Sequence, residues 1–208
     1  MSTPGDEPMC NSSTDSVNQK STDKKWTYSD YYSWRNGERW ELIDGVAYII
    51  TQSPTTRHQE LSGELSVQIA NHLQGKHCKV YTAPFDVRLP EYEGQPDDEI
   101  TTVVQPDIVV VCDTGKLDDR GCKGAPSLVI EILAPKTAER DVKSKFYLYE
   151  RSGVKEYWIV HPTDKTVMVF KLDESGEYGR PDMYGSNDHV SVPLLGDLVI
   201  DLARVFDD

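Results

Sequence analysis

The chain has 208 residues, 38% of them hydrophobic, and carries a formal net charge of -13. That length and apolar content suit one domain with its own core, and no Pro/Gly/Ser-rich linker divides the middle. The acid surplus argues against broad nonspecific binding to nucleic acid, and no stretch approaches the ~18 apolar residues of a membrane span.

Residues 1–25, rich in Ser, Thr, Asp, Asn and Lys, lack the apolar run of a secretory signal and bury too little to order themselves. They are expected to form a disordered tail, leaving 26–208 as the folded domain. The cysteines, Cys10, Cys78, Cys112 and Cys122, show neither a C-x-x-C pair nor zinc spacing. Free thiols in a reducing cytoplasm are the expectation.

"TYSDYYSWRN", with Thr27 or Ser29 as cap, predicts a short helix. "RWELIDGVAYII" predicts a hairpin turning at Asp44-Gly45. In "SPTTRHQELSGELSVQIANHLQG", Leu61, Leu65, Ile69 and Leu73 recur at i+4, giving an amphipathic helix capped by Thr55 or Thr56 and closed by Gly75. "KVYTAPFDVRL" alternates apolar and polar residues and predicts one half-exposed strand. The acidic stretch 90–99 reads as a surface loop. "VVQPDIVVVC" and "SLVIEIL" read as two buried strands, with a long loop, "DTGKLDDRGCKGAP", between them. "KTAERDVKSKFYLYERSG" predicts a helix capped by Thr137 and stopped by Gly153; "KEYWIV" and "TVMVFK" predict a strand pair; "HVSVPLLGDLVI" predicts an edge strand.

The chemistry lies in the two buried strands. An ionised carboxylate inside "LVIEIL" is costly without a partner, so Glu131 needs one. The other strand has its own acid, Asp107, just after Gln105-Pro106. Two neighbouring carboxylates repel unless a cation lies between them, and hard oxygen ligands suit Mg²⁺ or Mn²⁺. Position 133, on the same strand face as Glu131, is Leu133, so any protein cation must come from elsewhere. The next helix offers Lys145, flanking the apolar stripe of Ala138, Val142, Phe146 and Tyr149, in preference to Lys143, which points toward water. His72, His77, His161 and His189 show no ligand spacing and read as surface or turn residues.

"QPDIVVV", "GAPSLVIEIL" and "RDVKSKFYLYERSGVKEYWIV" together resemble the Uma-two-type putative restriction endonuclease family, a branch of the PD-(D/E)XK nuclease superfamily. The resemblance runs from about Trp26 to the C-terminus. It implies an α/β fold with a restriction-endonuclease-like core, a central mixed β-sheet flanked by helices. It matches Asp107 and Glu131 to the superfamily's two acids, and Lys145 to a catalytic lysine relocated from position 133. Glu41 and His58 match a further Glu and His as auxiliary residues, His58 as a phosphate contact. The implied activity is Mg²⁺- or Mn²⁺-dependent hydrolysis of phosphodiester bonds, with Asp107 and Glu131 as metal ligands and nucleic acid, DNA foremost, as substrate. A homodimer is compatible with this reading. Basic residues for phosphate contact are sparse: Arg57, Lys136, Arg140, Lys143 and Lys145. A catalytically idle domain of the same fold, serving as a binding or assembly module, is the alternative.

Overall fold

The computed structural model describes residues 24–34, 37–50, 54–134 and 138–207, apart from the side chains of 138–142. The tail through residue 23, Lys136, the cap at Thr137 and the side chains of Ala138, Arg140 and Val142 therefore lie outside the described residues. Thr27 caps α1 (Tyr28–Ser33), and a reciprocal bond from its backbone N–H to the Asp30 carboxylate completes a capping box. β1 (Arg39–Ile43) and β2 (Val46–Ile50) form an antiparallel hairpin. Its two turn residues, Asp44 (φ 53°) and Gly45 (φ 83°), both take the left-handed conformation that a two-residue hairpin turn requires.

α2 (Thr56–Leu73), capped by Thr55, is followed by β3 (Lys79–Thr82), β4 (Val87–Arg88), β5 (Val103–Val104) and β6 (Ile108–Val111). A 3₁₀ turn (Thr114–Lys116), β7 (Leu117–Asp118) and β8 (Gly121–Lys123) precede β9 (Leu128–Ile132). α3 (Ala138–Ser152), β10 (Glu156–His161), β11 (Thr166–Lys171) and β12 (Asp182–Gly185) come next. β13 (His189–Val192), β14 (Leu198–Asp201) and α4 (Leu202–Val205) close the fold.

One mixed sheet, in the order β12-β11-β10-β9-β6-β3, sets β6, from the second half of "VVQPDIVVVC", beside β9, from "SLVIEIL". β9 pairs parallel with β10, the connection running through α3, and antiparallel with β6. The period-2 alternation of β9 divides the core. Leu128, Ile130 and Ile132 meet Leu61, Leu65, Ile69 and Leu73 of α2 on one face. Val129 and Leu133 meet Leu148 and Tyr149 of α3 on the other. Each leucine or isoleucine of the α2 stripe contributes roughly 2 kcal/mol by leaving water. Glu131 therefore points to the α3 side. A second six-stranded sheet, β2-β1-β5-β4-β8-β7, brings the hairpin and Glu41 toward the first.

Several expectations are corrected. "KVYTAPFDVRL" is two strands in different sheets, β3 and β4, because Pro84 cannot donate to a ladder where the single strand needs it. "VVQPDIVVVC" likewise divides at Pro106 into β5 and β6, again in different sheets. The 113–126 segment is not a plain loop but holds the 3₁₀ turn and the β7–β8 hairpin. The last stretch forms its own two-stranded sheet, β13–β14, and β12 was not foreseen. Cys78 and Cys112 are joined in a disulfide instead of being free thiols. The β3–β6 register pairs Lys79 with Val111, which sets these two cysteines directly opposite each other. Cys122 is free and buried.

Candidate active site

Asp107 sits where the chain leaves β5 in one sheet and enters β6 in the other, so it stands at the seam between them. Its Oδ2 accepts the Ile132 backbone N–H at 2.7 Å, which ties it to the end of β9 one residue past Glu131. The same oxygen lies 3.2 Å from Nε2 of His58, in the first turn of α2. That hydrogen bond raises the His58 pKa above its ordinary value, against the opposing pull of burial. Nδ1 of His58 is buried and has no hydrogen-bond partner among the described residues. The ring thus serves Asp107, and neither nitrogen is presented outward as the expected phosphate contact would require.

Glu131 is buried, and its Oε1 receives two donors: Lys145 Nζ at 2.9 Å and the Tyr149 hydroxyl at 2.7 Å. Burial pushes its carboxyl up to about 7; the Lys145 ammonium pulls the other way, and the Asp107 and Glu41 charges add to the rise. Lys145 Nζ also donates to Glu41 Oε1 at 3.1 Å, so one ammonium bridges carboxylates from the two sheets. Glu41 Oε1 additionally accepts the Gln105 N–H at 2.9 Å. The helical phase of α3 separates its two lysines as the periodicity predicts: Lys145 is 7% exposed, whereas Lys143 is exposed.

Two residues at this site were not singled out from the sequence. Tyr149 reads as core because it falls on the apolar stripe of α3; its ring is indeed core, but its hydroxyl reaches Glu131. Gln105 precedes the Pro-Asp step and holds the seam on its other side. Its Nε2 donates to Asp86 Oδ1 at 2.8 Å, and its Oε1 accepts from Arg39. A glutamine beside the motif was the available signal. Arg57 is turned to the Phe206 and Asp207 carbonyls, so it braces the C-terminus. His77 neighbours Cys78 and Cys112, but those sulfurs are bonded to each other.

The donor set fits a hard divalent cation. Asp107 and Glu131 offer carboxylate oxygens at adjoining strand positions, and their hydrogen-bond partners among the described residues are nitrogen and oxygen groups only.

A mixed sheet with α2 and α3 on its two faces, an acid pair on its neighbouring inner strands and a lysine reaching them from α3, is a restriction-endonuclease-like α/β arrangement. Its fold is shared with a crystal structure described as a putative nuclease belonging to DUF820 from Anabaena variabilis ATCC 29413 (TM-score 0.68, 17% identity, 86% of this chain and 97% of that chain covered). A protein of Synechocystis described as uncharacterized, slr1290, is 25% identical over 157 residues, 74% of this chain and 78% of its own. The family model Uma2, described as "Putative restriction endonuclease", matches residues 28–203, and the chain belongs to that family.

Proposed function

We propose that the protein is a divalent-metal-dependent nuclease that hydrolyses phosphodiester bonds of nucleic acid, DNA foremost. The observation that carries this reading is Lys145, an almost fully buried ammonium held by Glu41 and Glu131 beside Asp107. A buried ion cluster of this kind is costly to build and adds little to stability over apolar packing, so a chemical use is the better account of it.

Asp107 and Glu131 would hold Mg²⁺ or Mn²⁺, which when bound polarises a phosphate and lowers the pKa of a water. Lys145 opposes the rise that burial imposes on the Glu131 pKa, and it offsets negative charge that builds on the phosphoryl oxygens as water attacks phosphorus and the P–O ester bond breaks. Glu41, fixed by the Gln105 amide, is the second carboxylate that holds Lys145. His58 and the Ile132 amide fix the orientation of Asp107.

The test is incubation of the purified protein with plasmid, single-stranded DNA and RNA in Mg²⁺, Mn²⁺ or EDTA. Cleavage of at least one substrate that stops in EDTA is expected. Intact substrates under every condition would overturn the reading. The net charge of -13 leaves room for the alternative, an idle binding or assembly module of the same fold, which intact substrates under every condition would favour.

A further inference from the structure

The hydrogen bonds on the two acids share a pattern. Oε1 of Glu131 takes both of that side chain's donors, Lys145 and Tyr149, and Oε2 takes none among the described residues. Oδ2 of Asp107 takes both of its donors, His58 and the Ile132 amide, and Oδ1 takes none among the described residues. Among the described residues, each carboxylate thus has both of its protein donors on one oxygen and none on the other. Lys145 alone would not hold Glu131 in this way. Its ammonium is also drawn by Glu41, and a carboxylate held through one flexible partner can exchange its two oxygens by rotating about Cγ–Cδ. The Tyr149 hydroxyl removes that freedom. It is carried on a ring that is fully buried and edge-packed against Tyr157, with centroids 4.9 Å apart, so its position is fixed by the core. Having a phenol for its second donor, Oε1 can accept no further ligand without giving up a hydrogen bond in a dry site, which is expensive.

We propose that Tyr149 is a positioning residue that dictates which oxygen of Glu131 meets the cation. With Lys145 it occupies Oε1 and leaves Oε2 as the metal-facing oxygen, as His58 and the Ile132 amide leave Oδ1 of Asp107. The site would then offer one oxygen from each acid, hard donors of the kind that suit Mg²⁺. This rests on the metal-dependent reading above, and it adds a residue outside the acid–lysine set.

Tyr149→Phe removes one oxygen atom and keeps the ring. Tyr178→Phe is the matched control, since its buried hydroxyl donates to the Val154 carbonyl at 2.7 Å and touches neither acid. Mn²⁺ affinity is measured by isothermal titration on metal-free protein below the melting temperature of each variant. Loss of a partner that orients a metal ligand typically weakens binding about 10- to 100-fold. Tyr149→Phe is expected to weaken Mn²⁺ within that range and Tyr178→Phe to leave it unchanged. A merely structural role would lower the melting temperature of both and spare the affinity of both.

Wild-type affinity in Tyr149→Phe, or an equal loss in Tyr178→Phe, overturns the proposal while leaving the metal reading intact. Absence of Mn²⁺ binding by the wild type removes both. Should Tyr149→Phe fail to fold, a crystal structure of the wild type with Mn²⁺ decides: ligation through Oε2 supports the proposal, and ligation through Oε1 overturns it.

Discussion

Replacing Lys145 with alanine should do far more than remove a charge from a helix surface. The ammonium lies 2.9 Å from Glu131 Oε1 and 3.1 Å from Glu41 Oε1, with 8% of the side chain exposed. Alanine is a good helix former, so α3 itself loses nothing. The two carboxylates, however, are left buried without this cation. Removing one partner of a buried ion pair costs about 3–5 kcal/mol. The cost depends on pH in a defined direction. Burial and neighbouring acids already raise the Glu131 pKa, and losing Lys145 takes away the main influence that lowers it. A group with a raised folded-state pKa gives its full stability below the unfolded value and loses it as pH rises through the folded one. The deficit of Lys145→Ala should therefore be largest near pH 8 and shrink toward pH 5, where protons replace the missing cation.

Guanidinium unfolding in EDTA at both pH values measures this, with Lys143→Ala as control. The exposed Lys143 should cost within about 0.5 kcal/mol. On nucleic acid, at a temperature where the variant is folded, Lys145→Ala should be at least ~10²-fold slower than wild type. A Lys145→Ala protein as stable as wild type at pH 8, or an equal loss in Lys143→Ala, would refute the reasoning.

Glu131→Gln should abolish Mn²⁺ heats that the wild type gives in isothermal titration; equal heats from both would remove Glu131 from the ligand set. In EDTA the wild type should lose stability as pH rises from about 5 through about 7, by roughly 3 kcal/mol if the whole Glu131 shift is expressed, and Glu131→Gln should flatten that slope. The His58 shift, held up by Asp107, acts in the same direction, and a wild-type curve that rises over this window would contradict both assignments. Reducing Cys78–Cys112, whose residues are 34 apart in sequence, should cost about 2–4 kcal/mol in denaturant unfolding, and a non-reducing peptide map should show the two cysteines linked.

The acids and the lysine were legible because each carries a local signal. Glu131 interrupts an apolar run, Asp107 follows a Pro that ends one strand and begins another, and helical phase alone separates Lys145 from Lys143. What was not legible depends on pairs brought together by the fold. The Tyr149 hydroxyl and the Glu131 oxygen are far more specific than the apolar stripe that places the ring. The Gln105 amide that fixes Glu41 is a backbone group and leaves no trace in residue type. The cross-strand cysteines need the β3–β6 register, which no spacing rule supplies. The divided strands are a different case. Pro84 and Pro106 were visible, and the apolar alternation around them outweighed a breaker that should have prevailed. That division matters for the site, since the switch between sheets at Pro106 is what sets Asp107 at their seam.

The central claim is that Asp107 and Glu131 form one metal-dependent centre for phosphodiester hydrolysis. Its most direct test is single-turnover cleavage of a supercoiled plasmid across a Mg²⁺ titration, by the wild type, Asp107→Asn and Glu131→Gln purified identically. The prediction is nicked or linear product from the wild type that rises with Mg²⁺ and vanishes in EDTA, with both variants slowed at least ~10²-fold at saturating metal. Cleavage by either variant at the wild-type rate, or by the wild type in EDTA, would contradict it.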